Sequence, residues 1–303
     1  MATLKGQNLR ILALDEGSSD WNVIAMSTNC TITMDGNADN ASTKDDVGMF
    51  EKPEITSKSW SIQTESLYVG NAGLMLRRIM SGEKFTVMWT EVSTADNKTA
   101  EEGGFGRQGK VIINDLTLNF NDRENSTHQL QMTGVGPIED QSDNINVDID
   151  VVNVYTKGQF VRLFTGVTYE TASATDILAY GKQLQVHVSC QLEDATTKDT
   201  TGDWTVQEVT GITFDITTNA LVRSGERITS IAPNNELNDF EYIYQQGLPV
   251  KFEVANVSGD NNRTKGLSIM SGQAVITNLV LNAPNRQTAT YNMTLRGYGS
   301  YTA

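Results

Sequence analysis

The residues from Val23 to Val69 occur twice in this chain. Moved forward by 154 positions they lie on residues 177–223 without a gap. The clearest part is Ala41-Ser42-Thr43-Lys44-Asp45-Asp46-Val47-Gly48, which meets Ala195-Thr196-Thr197-Lys198-Asp199-Thr200-Thr201-Gly202. Further on, Glu54, Thr56, Ile62, Thr64 and Leu67 meet Glu208, Thr210, Ile216, Thr218 and Leu221, while Trp60 meets Phe214. A second block repeats at an offset of 163, where Gly109–Asn119 meets Gly272–Asn282. It runs on through Arg123 on Arg286, Thr127 on Thr290, Gly134 on Gly297 and Gly136 on Gly299. The start repeats too, since Leu9-Arg10-Ile11-Leu12 resembles Val161-Arg162-Leu163-Phe164. Blocks in the same order in both halves are the mark of a tandem duplication, and whatever one half folds into, the other must fold into as well.

At 303 residues the chain has the length of about two domains. The repeat divides it into a first domain of residues 1–143 and a second of residues 144–303, joined by a linker at about 138–158. Each half is long enough to bury a core of its own. The formal net charge is -14, and both halves are acidic: residues 1–143 hold 12 Lys and Arg against 21 Asp and Glu, and residues 144–303 hold 11 against 16. Such a surface lacks the cation clusters that grip nucleic-acid phosphates by counter-ion release.

The N-terminal Met1-Ala2-Thr3-Leu4-Lys5-Gly6 has no apolar signal core, and no window reaches the length of a membrane span. The expectation is a cytosolic product that meets no membrane. Asn-X-Ser/Thr triplets, at Asn29, Asn97 and Asn125 for example, read as polar β surface. Cys30 falls on Leu184 in the repeat and Cys190 on Gly36. A framework disulfide would have been duplicated, so two reduced thiols are expected.

Strands dominate. Cys30–Met34, Ser59–Thr64, Phe85–Val92, Lys110–Asn119 and Ser126–Thr133 alternate apolar and polar residues, the period of a sheet with one buried face. The second half answers with Leu184–Cys190, Thr213–Thr218, Val250–Val257, Ala274–Leu281 and Ala289–Arg296. Trp60, Ile62, Leu116 and Leu118, with Phe214, Ile216, Leu279 and Leu281 in the repeat, are the expected core anchors. Helical spacing predicts one helix per half, around Ala72–Met80 and around Leu237–Gln246, ending at Gly82 and Gly247. Residues 35–58 and their duplicate 191–211 read as long polar loops, and a loop kept at one length with its Thr-Lys-Asp centre intact reads as functional. Residues 93–108 form a Gly- and Glu-rich stretch in the first half alone. Residues 138–158 read as an acidic linker that could hold a strand through Ile145–Val154.

The search for chemistry is negative. His128 and His187 occupy non-equivalent positions without Cys or carboxylate partners at ligand spacing, so no metal site is expected. Gly103-Gly104-Phe105-Gly106 lacks the context of a phosphate loop, and no nucleophile elbow or Ser/His/Asp trio occurs. Asp45-Asp46 and Asp15-Glu16 read as solvated loop charge, and Asp46 becomes Thr200 in the repeat. Arg77-Arg78 is placed on the polar side of the first helix. The expectation is a protein without catalytic residues, metal or cofactor.

Cys30-Thr31-Ile32-Thr33-Met34, then Ser42-Thr43-Lys44-Asp45, then Lys58-Ser59-Trp60-Ser61-Ile62, resemble in order the major tail (tail tube) proteins of tailed bacteriophages. So do the helix that follows, the strand entry at Gly82–Val87, and the closing Asn121-Asp122-Arg123 to Gly134-Val135-Gly136. The similarity is strong over residues 7–137 and weaker over 159–299. It implies a mainly β fold: two tandem tail-tube-like domains, each a β-sandwich or rolled sheet with one flanking α-helix. It also implies sheets that join between neighbours to line a channel, and rings that stack through a long loop. Matched by position, that loop offers Ser42, Thr43, Lys44, Asp45 and Asp46, and Thr196, Thr197, Lys198 and Asp199, as inter-ring and inter-subunit candidates. Family members carry one domain in a ring of six, so two domains per chain imply a trimeric ring with pseudo-sixfold symmetry. The implied partners are further copies of the chain, other tail proteins (tape measure, terminator, distal tail), and DNA that passes without specific binding through an acidic lumen. The implied place is the virion, after synthesis in the host bacterial cytoplasm.

Two other classes share features with this reading. A baseplate hub, a distal tail ring or the tube of a tailocin-like particle would use a similar domain. A β-sandwich binding module should cluster exposed aromatics, whereas Trp21, Trp60, Trp89 and Trp204 are spread along the chain.

Overall fold

The computed structural model describes residues 6, 9–14, 21–24, 26–42, 51–68, 72–92, 105–140, 156–166, 176–177, 181–197, 203–221, 237–258 and 264–303. The first half holds β1 (Leu9–Leu14), β2 (Trp21–Val23), β3 (Met26–Asn40), β4 (Pro53–Leu67), α1 (Ala72–Ser81), β5 (Phe85–Glu91), β6 (Gly106–Asn121) and β7 (Thr127–Asp140). The second holds β8 (Val161–Gly166), β9 (Asp176–Ile177), β10 (Gly181–Asp194), β11 (Gln207–Leu221), α2 (Leu237–Gln246), β12 (Pro249–Ser258), β13 (Thr264–Asn282) and β14 (Thr290–Thr302). All fourteen strands belong to one antiparallel sheet.

Strand order repeats with the sequence. The first half runs β2-β1-β5-β6-β7-β4-β3 and the second β9-β8-β12-β13-β14-β11-β10. Irregularities repeat as well. The pairing of β3 with β4 shifts register at Ser27/Asn29 and Asn37/Ala38, and that of β10 with β11 shifts at Gly181/Gln183 and Gln191/Leu192, the same places after the offset. Both helices end in a left-handed glycine, Gly82 at φ 64° and Gly247 at φ 62°. In each, the glycine N–H and the next N–H return to carbonyls of the last turn, Ile79 and Arg78 in α1, Tyr244 and Ile243 in α2. Only glycine adopts that conformation without steric cost, so the stop is written in the sequence.

Along β4, Trp60, Ile62, Thr64 and Ser66 are buried while Gln63 and Glu65 face out, and β11 repeats this with Phe214, Ile216, Thr218 and Ala220. Between β6 and its neighbours the sheet forks. The outer edge of β6 holds β5 along Gly106–Val111 and β10 along Asp115–Asn121, with an irregularity at Ile113/Asp115 where the two part. The β5 branch lies over the apolar face, where Trp89 meets Trp60 at 5.4 Å between ring centroids. Phe214 meets Phe252 at 5.5 Å and Tyr301 at 5.2 Å in the second half. These contacts form one continuous core through both halves.

Each large ring fits because a glycine faces it. A methyl group on Gly134 would overlap the Trp60 indole, and one on Gly297 would overlap the Phe214 ring. Trp60 Nε1 donates to the Gly136 carbonyl at 3.0 Å, which fixes the indole in that slot.

Five expectations need correction. The polar stretches 35–58 and 191–211 are largely strand: β3 continues to Asn40, β4 begins at Pro53, β10 reaches Asp194 and β11 begins at Gln207. Both faces of these arms meet solvent, so the alternation that marks a half-buried strand is missing from them. Arg78 is buried, with its guanidinium 4.3 Å from the Phe85 ring centroid and donating to the Leu14 carbonyl at 2.9 Å. Of the proposed linker, Ile138–Asp140 is part of β7, and Ile145–Val154 lies outside the described residues. Of 93–108, residues 106–108 open β6, and 93–104 lie outside the described residues. Leu281, expected in the core, is 49% exposed, on the stretch of β13 whose outer edge no described strand pairs beyond Val275.

Candidate assembly surfaces

Eight strands, β3-β4-β7-β6-β10-β11-β14-β13, pair side by side through both halves. Directly opposed residues share a face, so the pairings define rows across the sheet. One row reads Asn29, Glu65, Gln129, Thr117, His187, Asp215, Arg296. The next contains Thr31, Gln63, Gln131, Asp115 and Ser189. This face is built of amides and hydroxyls with a few charges. The opposite face carries Ile62, Leu130, Leu118, Val186, Ile216 and Leu295, all buried.

The two halves meet where β10 lies along β6, from Gln183 opposite Asn121 to Ser189 opposite Asp115. On the apolar side, Leu184, Val186 and Val188 face Phe120, Leu118 and Leu116, and all six are buried. On the polar side, His187 Nε2 lies 2.7 Å from Asp115 Oδ2, and Gln185 Nε2 donates to Asn119 Oδ1 at 2.9 Å. Helix α1 covers the junction. Tyr301 donates its hydroxyl to the Leu76 carbonyl at 3.0 Å, and the Cys190 thiol donates to the Ile79 carbonyl at 3.4 Å. A methyl on Gly82 would stand 3.2 Å from Val209. The second hairpin arm adds a clasp: Lys58 N–H donates to the Asp203 carbonyl, Thr205 N–H donates to the Lys58 carbonyl at 3.0 Å, and Lys58 Nζ lies 3.1 Å from Asp203 Oδ2.

Two edges of this eight-strand band remain open among the described strands. β3 pairs β4 on one side and no described strand on the other. β13 pairs β12 only as far as Val275 on its outer edge, leaving Ile276–Asn282 open there. Apolar side chains mark both: Met34 is 57% exposed on β3, and Val280 and Leu281 are 42% and 49% exposed on β13. An open strand edge with apolar side chains is a template for another strand.

The hairpin necks are duplicated atom for atom. Ser42 N–H donates to Asn40 Oδ1 at 2.9 Å, and Ser42 Oγ accepts the Lys52 N–H at 3.0 Å. Thr196 N–H donates to Asp194 Oδ1 at 2.9 Å, and Thr196 Oγ1 accepts the Val206 N–H at 2.9 Å. Hydrogen bonds from the Thr196 hydroxyl and then from its backbone N–H hold the Asp194 carboxyl below its usual range. Thr197 is exposed beside this neck, and Thr43, Lys44, Asp45, Asp46, Lys198 and Asp199 lie outside the described residues. Of the expected core anchors, Trp60, Ile62, Leu116, Leu118, Phe214 and Ile216 are buried, and Leu279 is half-buried against the core.

Among the described residues no cluster of His, Cys, Asp and Glu could hold a metal, and no helix is long and apolar enough to cross a membrane. Cys30 and Cys190 are unbridged, and burial pushes both thiols up to about 11, so they stay protonated near neutrality. His128 is buried, and burial pushes its imidazole down to about 4. It is a neutral core residue. The His187–Asp115 pair was not visible in the sequence, because 72 positions separate its members and only the β6–β10 register brings them together.

Residues 4–140 match the family model described as phage tail tube protein. The match spans most of the first half of the chain. The second half carries the same strand order as the residues so matched. No curated protein matches the chain. Solved structures match in part. A chain from the tail of an empty gene transfer agent particle is 16% identical, with the match covering 46% of this chain and 100% of that one at a TM-score of 0.38. A chain from the virion of a native gene transfer agent particle is 14% identical over 46% of this chain and 100% of that one, at 0.37. The SPP1 tail tube is 11% identical over 50% of this chain and 87% of its own, at 0.38.

Proposed function

We propose that this chain is the major structural subunit of a tail tube, carrying two tail tube domains, residues 1–143 and 144–303, and closing as three copies into a ring of six domains. The observation that carries this reading is the β6–β10 junction. It joins one domain's sheet to the next inside a single chain, and the same two edges are left open among the described strands at the ends of the band. A contact between unlike edges that closes on itself makes a ring.

In such a ring the amide- and hydroxyl-rich face lines the channel and the apolar face is covered by the β5 branch, its counterpart and the helices. The lumen is then only mildly acidic. Asp35, Glu65, Asp115 and Asp215 lie on the polar face with Arg296 and His187, and Asp115 is already engaged by His187. The lack of a cation cluster keeps DNA phosphate from adsorbing, so the tube acts as a passive conduit with no catalytic step. The hairpin tips beyond Ser42 and Thr196 carry ring-to-ring stacking. Other tail proteins meet the ends of the stack, and the subunit is made in the host cytoplasm before entering the virion.

Negative-stain microscopy of the purified protein at high concentration tests this, with class averages viewed down the axis. Hollow stacked tubes with threefold rings are expected. Rings that never stack would assign the chain to a distal ring or hub instead, and a monodisperse particle without rings would remove the tube reading.

A further inference from the structure

We propose that the ring closes by repeating the internal β6–β10 junction in one fixed register, with Ile32 and Met34 of one copy opposite Leu281 and Leu279 of the next, and with Tyr244 of α2 seated on Gly36 and Ile55 of the next copy. This rests on the ring reading above and adds to it the residues that meet.

The register follows from the repeat. β10 corresponds to β3, and β6 to β13, with their irregularities at equivalent places: Ile113/Asp115 in β6 and Ile276/Asn278 in β13. Edges with matching bulges have matching shapes. Carrying the pairs Val186–Leu118, Val188–Leu116 and His187–Thr117 across gives Ile32–Leu281, Met34–Leu279 and Thr33–Val280. Burial agrees. Val188 and Leu118 are fully buried at the internal junction, whereas their counterparts Met34 and Leu281 are about half exposed on the open edges. The exposed apolar groups are those that the missing strand would cover. A slip by one residue would turn each of them to the polar face.

The helices give an independent line. At the internal junction α1 places the carbonyl of Ile79, whose side chain is buried, against the Cys190 thiol, and Gly82 against Val209. Aligning the two helix-ending glycines makes Tyr244 the counterpart of Ile79, and the strand repeat makes Gly36 and Ile55 the counterparts of Cys190 and Val209. Tyr244 is 50% exposed and Ile55 51%. The substitutions compensate in size, since a larger side chain on the helix faces a smaller residue on the strand. Ile55 side-chain carbon lies 3.6 Å from where a Gly36 methyl would be, so it forms a wall beside the gap that the missing side chain leaves. Tyr242, also exposed on α2, corresponds to Arg77, which stays exposed at the internal junction, and so it remains outside the contact.

The test is paired-cysteine cross-linking in the full chain with Cys30→Ser and Cys190→Ser. Opposed residues of antiparallel strands stand about 4.5–5.5 Å apart at Cα, within disulfide reach, and diagonal neighbours stand farther. Mild oxidation of assembled Thr33→Cys/Val280→Cys should give covalent dimers and closed trimers on non-reducing electrophoresis, and Thr33→Cys/Asn282→Cys should not. Separately, Tyr244→Asp should raise the protein concentration needed for assembly about tenfold or more, the effect of losing a buried interface anchor. Tyr242→Asp should leave that concentration unchanged, and both variants should keep the circular dichroism spectrum of the parent. Rings that form without the Thr33–Val280 cross-link, or with equal cross-linking of the diagonal pair, would overturn the register and leave the tube reading intact. Equal effects of the two tyrosine variants would overturn the helix contact. Parent protein that never forms a ring would sink the tube reading and the register with it.

Discussion

Gly134 and Gly297 occupy the same place in the two halves and meet different rings. At the first, any side chain would displace an indole that is also tied by its N–H to the Gly136 carbonyl. At the second, the ring is a phenyl without a hydrogen bond to lose, packed between Phe252 and Tyr301. Overpacking of a closed core costs about 1–3 kcal/mol, and leaving a buried donor unpaired adds about 1–3 kcal/mol. Gly134→Ala is therefore expected to destabilise the monomer by about 2–6 kcal/mol and Gly297→Ala by about 1–3 kcal/mol. Urea unfolding of the two variants beside the parent measures this. Equal losses would mean that the Trp60 hydrogen bond contributes nothing to the difference.

At the scale of elements, the hairpin arms separate two jobs that a tube subunit must do. The proposed closure uses the sides of β3 and β13, whereas stacking is assigned to the residues beyond the necks held by Ser42 and Thr196. Removing both hydroxyls with Ser42→Ala/Thr196→Ala deletes two exposed hydrogen bonds, a loss of about 1 kcal/mol or less in stability. If the tips join rings, this variant should form rings of normal symmetry in shorter stacks, read as a shift in tube length by microscopy. Unchanged length would take stacking away from the tips. The sequence exposes these elements unevenly, for a physical reason. The Trp60 and Phe214 strands, the helices and their glycine stops were legible because burial on one side imposes a period. The arms at 35–40, 53–58 and 191–194 were not, since water on both sides imposes none. Leu281 misled because alternation tells which face a residue takes, not how far the covering layer extends along the edge. The junction residues Val186, Val188, Leu116 and Leu118 read as ordinary core, and nothing local tells a seam between halves from the interior of one.

At the scale of the molecule, duplication has let two copies of one junction diverge. The internal seam carries a 2.7 Å contact between His187 and Asp115 and an ion pair between Lys58 and Asp203. At the open edges the counterparts of Asp115 and His187 are Asn278 and Thr33, so the closing contact copies the apolar rows without that pair. A seam inside one chain forms once, on folding, and tolerates geometric demands that a contact between separate molecules would meet at each encounter. The copies themselves repel, since each carries a formal net charge of -14. Screening weakens repulsion between exposed charges beyond about 10 Å at 0.1 M salt and about 3 Å at 1 M, while apolar strand-to-strand contact is little affected. Raising sodium chloride from about 0.1 to about 1 M should therefore lower the concentration at which tubes form, measured by sedimentation of polymer from soluble subunit. Tubes that dissolve in salt would mean that ionic contacts hold the copies together. The closing edges would then have to be sought among charged residues rather than at Met34, Tyr244 and Leu281.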